Sequence, residues 1–122
     1  FTLTEPAASP AQRSFERPLA TRFRVASINT LQTGLFDNQQ DDELARLIDE
    51  MDAEVYCFQE EYNSSAAQIE SLLESIDPLG DGAAWNVHKN NDCVVAAIFP
   101  LTPLASLNTK YAAAAIDLGA GA

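Results

Sequence analysis

The segment Phe23 to Asn29 reads FRVASIN and begins the regular part of the chain. Its short run of apolar and β-branched residues predicts a strand that ends at Asn29. A second strand is predicted over residues 53–59, AEVYCFQ, which closes at Glu60. Between the two strands, apolar residues recur at the spacing of an amphipathic helix, namely Leu44, Leu47, Ile48 and Met51. The three segments therefore predict a βαβ unit.

A second helix is predicted after the second strand. Asn63 and Ser64 can cap it, and Ser65 with Gln68 resembles a capping box. The apolar residues that repeat at helical spacing are Ile69, Leu72, Leu73 and Ile76. The segment 77–82, which is rich in Gly, Asp and Pro, ends this helix.

The rest of the chain predicts further strands and an arm. Strands are expected around residues 85–87 and over residues 93–99, with a polar turn at residues 89–92 between them. Tyr111 to Leu118 is rich in alanine and fits either a helix or a strand. Residues 1–21 contain three prolines and no periodicity, which predicts an extended arm or linker ahead of one domain over residues 22–122. The alternation of strands and helices predicts helices layered on a sheet.

Composition excludes several classes of protein. The chain has 122 residues, 47% of them hydrophobic, which allows one domain and argues against a disordered acidic tail. Its 7 basic and 18 acidic residues give a net charge of −11, which disfavours charge-driven binding to nucleic acid unless a metal ion intervenes. The first residue is Phe1 rather than Met, so we expect a processed or trimmed product.

Two polar residues at strand ends are candidates for a functional site. If the first two strands are parallel and adjacent, Asn29 and Glu60 lie together at the carboxyl edge of the sheet, where open α/β sheets bind ligands. An amide oxygen and a carboxylate are hard donors that suit Mg²⁺ or Ca²⁺. By spacing alone the alternative stands, in which Asn29 starts a turn and Glu60 caps a loop.

Other residues that can carry chemistry have structural interpretations. Residues 41–43, two Asp and one Glu, suit a helix N-terminus, and residues 64 and 65, both Ser, suit a helix cap. His88 precedes the polar turn and is interpreted as a strand or loop residue. The two cysteines, Cys57 and Cys93, lie in apolar runs typical of small buried side chains, although a disulfide between them stays open.

The segments 23–30, FRVASINT, and 52–61, DAEVYCFQEE, resemble the opening of the endonuclease/exonuclease/phosphatase superfamily. In that family the first strand ends in Asn and the second in a Gln-Glu pair, here Gln59-Glu60. Residues 93–101 are similar to a later strand that closes on an aromatic-Pro-Leu turn, here FPL. The resemblance covers about four-fifths of the chain, from Phe23 to Leu118.

The resemblance implies an α+β fold, the DNase I-like four-layer α/β/β/α sandwich, of which this chain would supply roughly the N-terminal half. It implies a phosphohydrolase, a phosphodiesterase, nuclease or phosphatase, that uses Mg²⁺ (or Mn²⁺ or Ca²⁺). Glu60 would be a direct metal ligand, and Asn29 would help to bind the metal or the phosphate. Such a metal would let an acidic chain accept a phosphate ester.

The sequence also departs from the family. The full domain is roughly twice this length, and its Gly-Asp-x-Asn motif and terminal Asp-His pair have no match here. We therefore expect the isolated chain to be inactive, with its C-terminal half in the same or a companion chain of a secreted or periplasmic enzyme. The alternative is a non-catalytic acidic α/β module that binds a protein partner or Ca²⁺.

Overall fold

A computed structural model of the protein describes residues 23–105 and 110–119. The arm predicted over residues 1–21 lies outside these residues. The described part is a mixed α+β structure with two helices and two sheets. Its elements, in chain order, are β1 (Val25–Asn29), a 3₁₀ turn (Gly34–Phe36), α1 (Asp41–Met51), β2 (Val55–Gln59), α2 (Ala66–Ile76), β3 (Asn86–Asn90), β4 (Cys93–Ala97), β5 (Leu101–Pro103) and β6 (Ala114–Ile116).

The larger sheet has four strands in the order β1-β2-β4-β3. The strands β1 and β2 are parallel, as the βαβ prediction required, and Asn29 is the register partner of Gln59. The strand β4 runs antiparallel to β2 and forms a hairpin with β3. A separate antiparallel pair consists of β5 and β6.

One face of this sheet carries the hydrophobic core. Tyr56 and Phe58 point to that face from β2, with parallel rings 5.6 Å apart, and Trp85 lies 5.8 Å from the Tyr56 ring. The helices bury Ile48 from α1 and Ile69 from α2 against the same cluster. Period-2 alternation along β2 therefore places the aromatic side chains under the helices, and the prediction of helices layered on a sheet is confirmed.

The helix ends follow the predicted chemistry with one correction. The helix α1 begins at Asp41, so the acidic residues of its first turn meet the positive end of the helix dipole. Ser65 caps α2, and the capping box with Gln68 is present. The prediction that Asn63 or Ser64 caps α2 is wrong, because the Ser64 hydroxyl donates to Glu61 instead.

Several strand boundaries also differ from the prediction. The strand β3 extends to Asn90, so the polar turn shortens to residues 91 and 92, because Lys89 and Asn90 pair with β4. The ambiguous segment Tyr111 to Leu118 contains the strand β6 rather than a helix, and its partner β5 was not predicted. Pro103 ends β5 on a two-stranded sheet, where every strand is an edge and a missing N–H is tolerated.

Candidate functional site

The candidate site lies at the sheet edge where β1 and β2 end. Asn29 is the last residue of β1 and lies opposite Gln59, the last residue of β2. Glu60 directly follows Gln59. Because β4 is antiparallel to β2, the turn that precedes β4 reaches the same edge, and the Glu61 amide donates to the Asp92 carbonyl at 3.0 Å. The expected juxtaposition of Asn29 and Glu60 at one edge is thus present.

Asn29 is exposed and starts a turn. Its Oδ1 atom accepts a hydrogen bond of 2.9 Å from the Leu31 amide, as in an Asx turn. That bond orients the side-chain amide, so that Nδ2 remains available to donate and Oδ1 keeps a second lone pair. The turn that sequence spacing alone favoured is therefore real, and it is compatible with ligand binding.

The backbone around this edge is strained. Leu31, Gln32 and Thr33 are consecutive residues with φ of 55°, 57° and 67°, and Glu60 has φ of 68°. Non-glycine residues in this left-handed region cost about 1–3 kcal/mol each, and such strain concentrates at functional sites. The strained residues therefore begin two positions after Asn29 and include Glu60 itself.

Two threonines bond the loop after β1 to the loop after β2. The amide and the hydroxyl of Thr30, which is buried, both donate to the Gln59 carbonyl, at 2.9 and 3.0 Å. The Thr33 amide donates to the Glu60 carbonyl at 2.6 Å. The Thr33 hydroxyl in turn accepts from the amides of Tyr62 and Asn63, at 3.2 and 3.3 Å. These bonds hold Glu60 in its left-handed conformation.

The Glu60 carboxylate has no hydrogen-bond or ion-pair partner in the described part of the chain, where its side chain is half-buried. The Asp92 carboxylate is in the same neighbourhood, because both carboxylates act on the Tyr62 hydroxyl. The pKa of the Tyr62 hydroxyl is raised, chiefly by the Asp92 carboxylate, then by desolvation and by Glu60 itself. A half-buried carboxylate in an acidic surrounding favours a cation as its ligand.

Glu61 is a member of this edge that sequence reasoning missed. Its side chain is 0% exposed. Its Oε2 atom accepts from the Leu35 amide at 3.0 Å, and its Oε1 atom accepts from the Ser64 hydroxyl at 2.9 Å. The sequence carries only a weak indication of this role, because two consecutive Glu residues with a Ser three positions later are also typical of an exposed loop.

The remaining candidates do not join this site. His88 lies in the middle of β3, opposite Val95, and its enclosed Nε2 atom has no hydrogen-bond partner among the described residues. Cys57 and Cys93 are free thiols. Both side chains are half-buried rather than fully buried as predicted, and this partial burial is the main cause that raises the pKa of each thiol.

The predicted site for a hard cation would have two protein ligands from this edge. Asn29 and Glu60 supply two oxygen donors, a number that Mg²⁺ commonly takes from protein side chains beside water and phosphate. Within residues 23–105 and 110–119, no group of three or more His, Cys, Asp or Glu side chains is arranged to hold a metal. In the same residues, neither helix is long and apolar enough to cross a membrane.

In comparisons with known proteins, no family model, no curated protein and no solved structure matches the chain.

Proposed function

We propose that this chain supplies part of the catalytic site of a divalent-metal-dependent phosphohydrolase, a phosphodiesterase, nuclease or phosphatase. Glu60 and Asn29 would hold Mg²⁺, or Mn²⁺ or Ca²⁺ in its place. The observation that carries the proposal concerns the Glu60 carboxylate, which has no hydrogen-bond or ion-pair partner among the described residues. Glu60 follows β2, and β2 pairs with β1, which ends at Asn29. The proposed fold is the DNase I-like four-layer α/β/β/α sandwich, to which the described α+β unit would contribute a helical layer and a sheet.

Each residue has a distinct part in this proposal. The metal, when bound, neutralises phosphoryl oxygens and stabilises the negative charge that develops on the leaving oxygen. Glu60 contributes a charged oxygen ligand from a constrained loop. Asn29 contributes Oδ1 as a second donor or Nδ2 as a hydrogen-bond donor to a phosphate oxygen, and its bond from Leu31 fixes which atom faces the backbone. The base that activates water and the other ligands would come from further residues of the same or a companion chain.

The net charge of −11 bears on the substrate. An acidic surface repels long polyanions, so a small phosphate ester suits the proposal better than duplex DNA. The cation would provide the local positive charge that a phosphate group needs.

The test compares Glu60→Gln with wild type in the full-length protein that contains this sequence. The probes are hydrolysis of bis(p-nitrophenyl) phosphate with Mg²⁺ or Mn²⁺, and binding of Mn²⁺ measured by electron paramagnetic resonance. We expect Glu60→Gln to lower the hydrolysis rate by roughly a hundredfold and to weaken Mn²⁺ binding, because a neutral amide is a poorer ligand. Glu70→Gln, on the exposed face of α2, is the matched control and should leave both quantities unchanged.

Two outcomes would contradict the proposal. A metal-dependent rate that Glu60→Gln does not change would remove Glu60 from the site. Wild-type protein that binds Ca²⁺ or Mn²⁺ but hydrolyses none of a panel of phosphate esters would favour the alternative, a non-catalytic acidic module that binds Ca²⁺ or a protein partner.

A further inference from the structure

We infer that Glu61 is a positioning residue, whose buried carboxylate holds the loops after β1 and β2 in the arrangement that brings Asn29 and Glu60 together. This inference rests on the proposed function, because it assigns Glu61 a role toward the same cation. Glu61 does not contact the ligand in this assignment. It acts through the backbone of its neighbours.

The hydrogen bonds of Glu61 reach three separate segments. Its carboxylate accepts from the Leu35 amide in the 3₁₀ turn and from the Ser64 hydroxyl just before α2. Its own amide donates to the Asp92 carbonyl in the turn between β3 and β4. One residue therefore joins all three connections that meet at the candidate site.

The complete burial of Glu61 makes a carboxylate an energetically unfavourable choice for a side chain that only fills space. A carboxylate that is 0% exposed has lost its water, and no cation is among the partners that it has in the described residues. Burying a charged carboxylate is unfavourable unless its oxygens accept hydrogen bonds. An apolar residue of similar size often gives the folded protein equal stability. Unlike an apolar side chain, the carboxylate also fixes the positions of its hydrogen-bond donors, because each of its two oxygens accepts from a different donor.

The donor Leu35 lies close to the strained backbone beside the candidate site. Leu35 lies two residues after the last of the left-handed residues 31–33, and Glu60, which is also left-handed, directly precedes Glu61. Strained backbone persists when the surrounding structure over-determines it. The Thr33 bond to Glu60 and the Leu35 bond to Glu61 both anchor the C-terminal end of this strained stretch. Glu60 and Glu61 therefore bond the loop after β1 at adjacent points, and the Glu61 carboxylate restrains Glu60 through that loop.

The experiment separates hydrogen bonding from charge and from general stability. Glu61→Gln keeps an acceptor for Leu35 and offers an amide donor to Ser64, so we expect Mn²⁺ affinity within about threefold of wild type. Glu61→Leu keeps the volume and loses both bonds, so we expect Mn²⁺ affinity to fall by about tenfold or more. Affinity is measured by electron paramagnetic resonance in the full-length protein, at a temperature where circular dichroism shows every variant to be folded.

A second readout needs no metal. Hydrogen exchange of the Leu35 amide, followed by nuclear magnetic resonance, should accelerate in Glu61→Leu and stay slow in Glu61→Gln. Tyr56→Phe serves as the control for stability, because it removes two buried hydrogen bonds between α1 and β2 and should change neither the Leu35 exchange relative to global unfolding nor the Mn²⁺ affinity. Should Glu61→Leu fail to fold, Ser64→Ala removes one of the two side-chain bonds alone and should lower Mn²⁺ affinity by a few-fold.

The outcomes distinguish this inference from the proposed function. If Glu60→Gln abolishes Mn²⁺ binding while Glu61→Leu and Ser64→Ala bind as wild type does, Glu61 is structural only and the positioning role is overturned. If Glu60→Gln binds Mn²⁺ as wild type does, the proposed function itself fails. If Glu61→Gln loses affinity as strongly as Glu61→Leu, the charge rather than the hydrogen bonds is responsible, and the inference is wrong.

Discussion

At the scale of single residues, the interior depends on polar atoms that find partners within a few positions. Tyr56 is 1% exposed, and its hydroxyl donates to the Ile48 carbonyl at 2.8 Å while it accepts from the Ala53 amide at 3.0 Å. Burial is the first cause of its raised pKa. This hydroxyl ties the end of α1 to the start of β2, so it helps to set where the parallel strand begins.

Tyr56→Phe should lower the free energy of unfolding by about 1–3 kcal/mol. The variant keeps the ring packing but leaves the Ala53 amide buried without a partner, whereas Ile48 retains its bond from Asp52. Urea denaturation followed by circular dichroism measures the change. Tyr62→Phe is the matched control, because that side chain is 49% exposed, and it should stay within about 0.5 kcal/mol of wild type. Equal stability of the two variants would contradict the role of the Tyr56 hydroxyl.

At the scale of elements, the two helices differ in how their ends are charged. The first turn of α1 is acidic, which suits the helix dipole, but neither helix has a basic residue in its last turn. Asp77 follows the end of α2 among other acidic side chains. Its pKa is raised, first by burial and then by the charges of Asp52, Asp49, Glu74 and Glu54. The carboxyl ends of both helices are therefore places where negative charge opposes folding.

Asp77→Asn should stabilise the protein at neutral pH. The folded state binds the Asp77 proton more tightly than the unfolded state does, so the stabilising contribution is complete below the unfolded pKa of 3.8 and is lost as pH rises through the folded pKa. The difference between variant and wild type should thus be largest near pH 7 and shrink below about pH 4. Thermal unfolding at several pH values measures it. Asp42→Asn, at the favourable end of α1, should lower stability instead, and a gain there would contradict the argument.

At the scale of the whole molecule, helices cover one face of the four-stranded sheet, and residues 23–105 and 110–119 cover the opposite face only in part. On that face the side chains of β1 are exposed, whereas residues 110–112 lie over the centre, where Cys93 donates to the Lys110 carbonyl. The net charge of −11 acts on the molecule as a whole and disfavours its compact state through self-repulsion.

Added salt should therefore raise the melting temperature. Raising the ionic strength from about 0.01 to about 0.15 M shortens the screening length from about 30 to about 8 Å, which weakens repulsion between surface carboxylates. Differential scanning calorimetry of the full-length protein measures the shift. A variant with Asp49→Asn and Glu50→Gln, both near the negative end of α1, should melt higher at low salt and gain less from added salt. A melting temperature that salt does not change would show that long-range repulsion is unimportant here.

The amino-acid sequence by itself determined the parts of this protein that depend on local pattern. The helical repeat, the Ser65 cap with Gln68 and the alternation in β2 are all interactions between residues close in the chain, and the βαβ rule then placed Asn29 and Glu60 at one edge. Only the tertiary structure decided features that need distant partners. The segment with β6 became a strand because β5 pairs with it, and Glu61 became buried because segments 26 residues upstream and beyond α2 close over it. Burial and pairing are properties of the assembled chain, so no local pattern could have revealed them.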